Sequence, residues 1–221
     1  MSGWRAAGVG RRTDHLFMIG SACFALASVP GLAAAVPAAV VGVTYFVGSL
    51  FFTTAGYFQF VSSSNPDGPD PRSGVLRRAA WLPGRMDWWA SVVQSAGTLW
   101  FNVNTFRALD APYDVEAVDQ QIWKPDFFGS IAFLVASALA IRVVNQRRSD
   151  GRRSHDEPWR SAWLNMLGSI FFMASALAAF VLPSTGDLVD ASLANTGTLL
   201  GAICFFVAAQ RDAARLRREA A

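Results

Sequence analysis

The chain has 221 residues, 52% of them hydrophobic and 16% charged, with a net charge of +3. Soluble domains usually carry about 25% charged residues, and here the charges are bunched, which argues against an ordinary soluble fold. Its 19 basic residues include one lysine, Lys124, and the arginine clusters abut apolar runs, so a basic face that reads nucleic acid is not indicated either.

Six apolar stretches follow one another, at about 16–33, 38–61, 88–106, 127–145, 162–182 and 190–209. A helix of ~20 apolar residues matches the ~30 Å thickness of a bilayer core. Pro30, Gly31 and Pro37 punctuate the first turn, and the run from Ser63 to Gly74 is a loop by composition. Pro125 opens the fourth stretch, Pro158 precedes the fifth and Pro183 ends it. The expectation is an all-α membrane protein, a single domain over residues 1–221 with six transmembrane helices. The first stretch has a second reading. Its basic tail, apolar core and Leu32-Ala33-Ala34-Ala35 also have the layout of a cleaved signal peptide. The motif it shares with the other five favours a retained span.

Basic residues near span ends set the orientation. Arg5, Arg11 and Arg12 precede the first stretch. Arg72, Arg77, Arg78 and Arg85 join the second to the third. Arg142, Arg147, Arg148, Arg152, Arg153 and Arg160 join the fourth to the fifth, and Arg211, Arg215, Arg217 and Arg218 follow the sixth. Only Arg107 and Lys124 fall on the other side, among Asp110, Asp114, Glu116, Asp119, Asp126, Asp187 and Asp190. Both termini are therefore expected in the cytoplasm. The Arg and Ala bias suggests a GC-rich bacterial genome and hence a bacterial inner (plasma) membrane. Trp81, Trp88, Trp89, Trp159 and Trp163 near the basic side, and Trp123 on the acidic side, suit the headgroup boundary.

Every stretch repeats one pattern: Gly, a small or hydroxyl residue, Phe four positions after the Gly, and a small residue four further on. It runs Gly20-Ser21-Phe24-Ser28, Gly48-Ser49-Phe52-Gly56, Gly97-Thr98-Phe101-Thr105, Gly129-Ser130-Phe133-Ser137, Gly168-Ser169-Phe172-Ala176 and Gly201-Ala202-Phe205-Ala209. Positions i, i+4 and i+8 share a helix face, and small residues let helices approach closely in lipid. The six glycines are thus read as packing positions. They lie 28, 32 and 33 residues apart within successive pairs, which suggests three hairpins, at about 16–61, 88–145 and 162–209. An inverted repeat of three spans, with offsets of 109, 120 and 104 residues, is the less regular alternative.

The run Phe17-Met18-Ile19-Gly20-Ser21 with Phe24, then Tyr45-Phe46-Val47-Gly48-Ser49 with Phe52, resembles the YrhK-like family of small membrane proteins. That resemblance implies a two-helix hairpin with Gly-Ser in each helix, and it brings no activity with it. Gly168-Ser169 with Gly201-Ala202 repeats it less fully, and Gly97-Thr98 departs further.

Polar side chains inside spans are informative because lipid makes them costly. Gln94, Thr98, Asn102 and Thr105 follow one face of the third stretch, with Asn104 turned away, and Asn165 and Thr198 stand in the fifth and sixth. Three residues before each repeat glycine stand Phe17, Tyr45, Gln94, Asp126, Asn165 and Thr198. These polar groups are read as interhelical hydrogen bonds or as the lining of a cavity. Cys23 and Cys204 lie in apolar runs, and His15 and His155 have no ligand-spaced companions, so neither metal nor cofactor is indicated. No nucleophile elbow, phosphate loop or zinc motif occurs, and Asp187 with Asp190 is the nearest approach to a paired-carboxylate site. The functional expectation is a non-enzymatic membrane protein acting through lipid, a membrane protein partner or its own copies. The alternative is a small channel or transporter for a neutral or weakly polar solute, lined by Gln94, Thr98, Asn102, Asn165 and Thr198.

Overall fold

The computed structural model describes residues 2–70, 75–110, 114–149 and 157–219. Arg72, Arg152, Arg153, His155 and the side chain of Arg5 lie outside the described residues. Six long helices account for most of the rest: α1 Ser2–Ala27, α2 Ala38–Ser63, α3 Met86–Arg107, α4 Lys124–Ser149, α5 Glu157–Ala178 and α6 Ala191–Glu219.

Local chemistry sets their ends. α1 stops at Ala27, short of the expected 33, because Pro30 lacks an N–H and Gly31 turns the chain at φ 84°. At the start of α3 the Asp87 carboxylate accepts from the Trp88 N–H at 3.1 Å and pairs with Arg85 at 2.6 Å. The acidic stretch between α3 and α4 is partly helical. It has a 3₁₀ turn at Ala108–Asp110, a helical turn at Val115–Val118 and a π turn at Asp119–Trp123 that runs into α4. Between α5 and α6 the chain folds back on itself through an antiparallel bridge of Val181 with Leu188, and the Asp190 carboxylate caps α6 on the Leu193 N–H at 2.9 Å.

Four helical segments are long and apolar enough to cross a membrane: Ala38–Ser63, Val115–Ser149, Pro158–Ala178 and Ala191–Glu219. α1 and α3 fall below that mark for different reasons. The first half of α1 carries Arg11, Arg12 and Asp14, and α3 carries Asp87, Gln94, Asn102 and Asn104 among its apolar residues. The outward faces are nevertheless rich in large aliphatics, including Ile19, Leu26, Val43, Leu99, Val135 and Ile203, while the buried positions are mostly Gly, Ala, Ser, Thr and Phe. That distribution inverts the usual rule for soluble domains.

Each long helix packs against the next in sequence, and α6 closes back on α1, forming a ring. Its centre holds one phenylalanine from every helix: Phe24, Phe52, Phe101, Phe133, Phe172 and Phe205. Phe24, Phe101 and Phe172 form one triangle, with ring centres 5.7–6.4 Å apart. Phe52, Phe133 and Phe205 form a second, at 5.5–6.2 Å. The triangles are joined through Phe24–Phe52, Phe101–Phe133 and Phe172–Phe205 at 5.0–5.5 Å, several of them in the edge-to-face geometry aromatic rings prefer.

The repeat glycines seat these rings reciprocally. A Cβ on Gly20 would meet the Phe52 ring at 2.7 Å, and one on Gly48 would meet Phe24 at 2.9 Å. Gly97 faces Phe133 and Gly129 faces Phe101, while Gly168 faces Phe205 and Gly201 faces Phe172. The backbones cross at the same place. A Cβ on Gly168 would lie 3.0 Å from the Gly201 carbonyl oxygen, and the reverse distance is 2.9 Å. Replacing Gly201 by Ala therefore drives a methyl into both the Phe172 ring and the Gly168 backbone. We predict a loss of about 1–3 kcal/mol in detergent unfolding. Gly8→Ala, with nothing within 4 Å of its added methyl, is expected to be neutral or to stabilise by up to about 1 kcal/mol through helix propensity. Equal losses from the two would contradict this packing.

Candidate functional site

Hydroxyl groups hold the helices of different pairs together around the phenylalanine core. Ser49 Oγ lies 2.9 Å from Thr105 Oγ1, joining α2 to α3, and Ser137 Oγ lies 2.9 Å from Ser169 Oγ, joining α4 to α5. Both bonds connect the residue after a repeat glycine to the small residue that ends the motif on the neighbouring helix. The contact of α6 with α1 differs, since α6 has Ala202 and Ala209 at these two positions and Ser21 Oγ is buried without a partner.

Two cavities lie inside the ring, because residues of all six helices border each of them. The first, of about 250 Å³, sits where α1, α3 and α5 end and α2, α4 and α6 begin. Its floor is the triangle of Phe24, Phe101 and Phe172, and its walls carry Tyr45, Asn104, Asp126, Ser175, Asn195 and Thr198. The second, of about 180 Å³, occupies the opposite end and is bordered by Phe205 of the other triangle, with Thr13, Asp14, Gln59, Gln94, Asn165 and Asp212. Phe52 and Phe133, 1% and 0% exposed, lie between them, so the core separates the two cavities.

The row of residues three before each glycine divides cleanly between these cavities. Tyr45, Asp126 and Thr198, from helices α2, α4 and α6, line the first, and Phe17, Gln94 and Asn165, from α1, α3 and α5, line the second. Alternate helices run in opposite directions, so the same offset points toward opposite ends of the ring.

The five candidate residues do not converge on one pathway. Gln94 and Asn165 share the second cavity although their helices are not neighbours in the ring. Thr198 lines the first, with its hydroxyl 2.7 Å from Ser175 Oγ. Asn102 Nδ2 instead donates to Thr53 Oγ1 at 2.8 Å, a pairwise bond between α3 and α2. Thr98 is fully buried, and its hydroxyl donates to the Ser95 carbonyl at 2.8 Å. Asn104, expected to turn away, lines the first cavity while its Nδ2 donates to the Ile122 carbonyl at 2.9 Å. Asp187 and Asp190 are exposed, and Asp190 serves as the cap of α6. Cys23 and Cys204 are free thiols, and no metal-competent cluster of His, Cys, Asp or Glu occurs among the described residues.

Sequence reasoning missed Asp14 and Gln59, whose Oδ2 and Oε1 atoms are buried without a partner at the second cavity. A signal for Asp14 existed. It stands six residues before Gly20, and Gly42 and Asn195, six before their own glycines, line the first cavity. A third hollow is lateral and apolar, about 680 Å³ between α2 and α3, lined by Tyr57, Phe60, Trp81, Trp88, Val92 and Leu99 among others. Beside it Trp81 is 74% exposed, and the Trp88 and Trp89 indoles donate to the carbonyls of Ala80 and Pro83 at 2.8 and 3.0 Å. No protein family, curated protein or solved structure matches the chain.

Asp14 lies two residues before the apolar stretch of α1. Burial first, and then the Asp212 carboxylate, raise its carboxyl from 3.8 to about 7 against the opposing pull of Arg215. The folded protein then holds this proton more tightly than the unfolded chain. The stabilisation is complete below about pH 4 and is lost as pH rises to about 7. Unfolding in detergent across that window should show stability falling with pH, and Asp14→Asn should flatten the slope. An unchanged slope in the variant would exclude Asp14 as its source.

Proposed function

We propose that this chain is a non-enzymatic, multi-pass protein of a bacterial inner membrane, with six spans forming three hairpins of one type and both termini in the cytoplasm. It acts through lipid or a membrane protein partner. The reciprocal seating of glycine and phenylalanine within each successive helix pair carries the hairpin reading, since three pairs repeat one geometry in chain order. α1 and α3, too polar to qualify by composition, complete the ring with the four apolar helices. Asp14, Gln94 and Asn104 on these two helices line the cavities, Asn102 bonds Thr53 of α2, and their outward faces carry Ile19, Leu26, Leu99 and Trp100. The same motif supports kinship of the hairpins with the YrhK-like type.

The lateral groove supports action through lipid. It is apolar, it opens on the face that carries the large aliphatics, and tryptophans of the kind that settle at the headgroup boundary stand beside it. An acyl chain is the occupant of matching chemistry. The alternative reading, a solute pathway, draws on the two polar cavities stacked inside the ring. In this conformation the phenylalanine core lies between them, so passage would require the core to part.

Two measurements test the proposal. Reporter fusions after Val115 and after Ser149 are expected to give periplasmic and cytoplasmic signals respectively, and cytoplasmic signal from both rejects the topology. Native mass spectrometry from mild detergent is expected to retain phospholipid or a protein partner, with phospholipid retention reduced by filling the groove with Ala96→Phe. Delipidated, partner-free protein that carries solute across liposome membranes would instead establish the pathway reading.

A further inference from the structure

The first cavity has a chemistry that the packing account does not use. Asp126 is the one acidic or basic residue among those that line it, and its carboxylate makes no hydrogen bond or ion pair among the described residues. The other polar walls have largely spent their protons on the protein. Asn104 Nδ2 donates to the Ile122 carbonyl at 2.9 Å, which leaves its Oδ1 to accept. Thr105 Oγ1 donates to the Phe101 carbonyl at 2.8 Å. Ser28 Oγ donates to the Phe24 carbonyl at 2.7 Å, so in the 2.7 Å contact between Ser28 and Tyr45 the tyrosine hydroxyl is the donor. Ser175 and Thr198 both reach the Ala194 carbonyl, at 2.6 and 3.0 Å. Of the polar side chains on these walls, the Asn195 amide keeps both of its N–H groups uncommitted and the Asn104 amide keeps one. What faces the cavity is therefore mostly lone pairs and one unpaired carboxyl group, over a floor of three phenylalanine rings.

We propose that this cavity binds a small primary ammonium ion. Its three N–H groups would meet the Asp126 carboxylate and two of the oxygens offered by Asn104, Tyr45 and Thr198, and its short carbon chain would rest on Phe24, Phe101 and Phe172. A cation over aromatic faces gains further attraction from the ring quadrupoles, and charge-assisted hydrogen bonds are about twice as strong as neutral ones. An anion meets a carboxylate and no basic group, and a neutral amide forgoes the charge. The volume of about 250 Å³ is below the ~300–1,000 Å³ of drug-sized sites, which limits the ligand to a few heavy atoms. Leu188 lines the cavity and is 40% exposed, placing its edge at the surface beside the bridge of Val181 with Leu188.

The test uses the full chain purified in detergent, so it stands apart from the topology and the lipid groove. Ethylammonium chloride, acetamide and potassium chloride are titrated calorimetrically at matched ionic strength. Saturable binding of ethylammonium alone is expected, weakened at least tenfold in Asp126→Asn. Equal binding of acetamide or potassium, no binding of ethylammonium, or unchanged affinity in folded Asp126→Asn would each overturn the proposal. Should Asp126→Asn fail to fold, the native protein decides by carbodiimide labelling mapped to Asp126. Protection by saturating ethylammonium is expected, and labelling that ethylammonium leaves unaltered overturns the assignment.

Discussion

A phenylalanine ring lying between two helices needs the facing backbone to present no side chain at all. In this protein each of six rings has that space because a glycine stands opposite it on the paired helix, and the glycine's own helix returns a ring four residues later. The interaction is therefore mutual. Neither helix of a pair can shift without lifting both rings from both notches, and every ring also touches rings of other pairs. Lipid tails give helices no hydrophobic reason to associate, so van der Waals fit of this kind must supply much of the association.

The remaining architecture follows from that centre. With rings and glycines filling the middle, the residue after each glycine is driven into the joint between pairs, where Ser49 meets Thr105 and Ser169 meets Ser137. Above and below the rings the helices have nothing of comparable bulk to hold, and the ring of helices leaves a cavity at each end. Polarity inside and aliphatics outside then divide the protein in the way a bilayer requires, with buried hydroxyls satisfied largely by neighbouring carbonyls. The joint of α6 with α1 is the least polar of the three, and it holds the one motif serine, Ser21, whose hydroxyl is buried without a partner.

Much of this was legible in residue types. The glycine and phenylalanine positions followed from spacing alone, and so did the pairing of successive helices. The row three residues before each glycine was visible too, but its division between two cavities was not, because it depends on helix direction about a common centre. Sequence placed Gln94, Thr98 and Asn102 on one face of α3. A helix in a closed ring has two flanks as well as an inner face, and these residues spread over them, Asn102 toward Thr53 and Gln94 toward the second cavity. The turns at Ala108–Asp110, Val115–Val118 and Asp119–Trp123 were hidden because acidic composition suggests a solvated loop. Local caps such as the Asp114 carboxylate on the Ala117 N–H at 2.9 Å decide otherwise.

The mutual seating of ring and glycine is tested most directly by compensation within one pair. Gly201→Ala crowds Phe172, and Phe172→Leu shortens the side chain that is crowded, so the two changes should not act independently. A double-mutant cycle read by detergent unfolding is expected to give a favourable coupling of about 0.5–3 kcal/mol, the double variant being more stable than the sum of the single losses allows. Additive losses would show that Phe172 does not occupy the notch at Gly201, and would contradict the packing on which the rest of the structure depends.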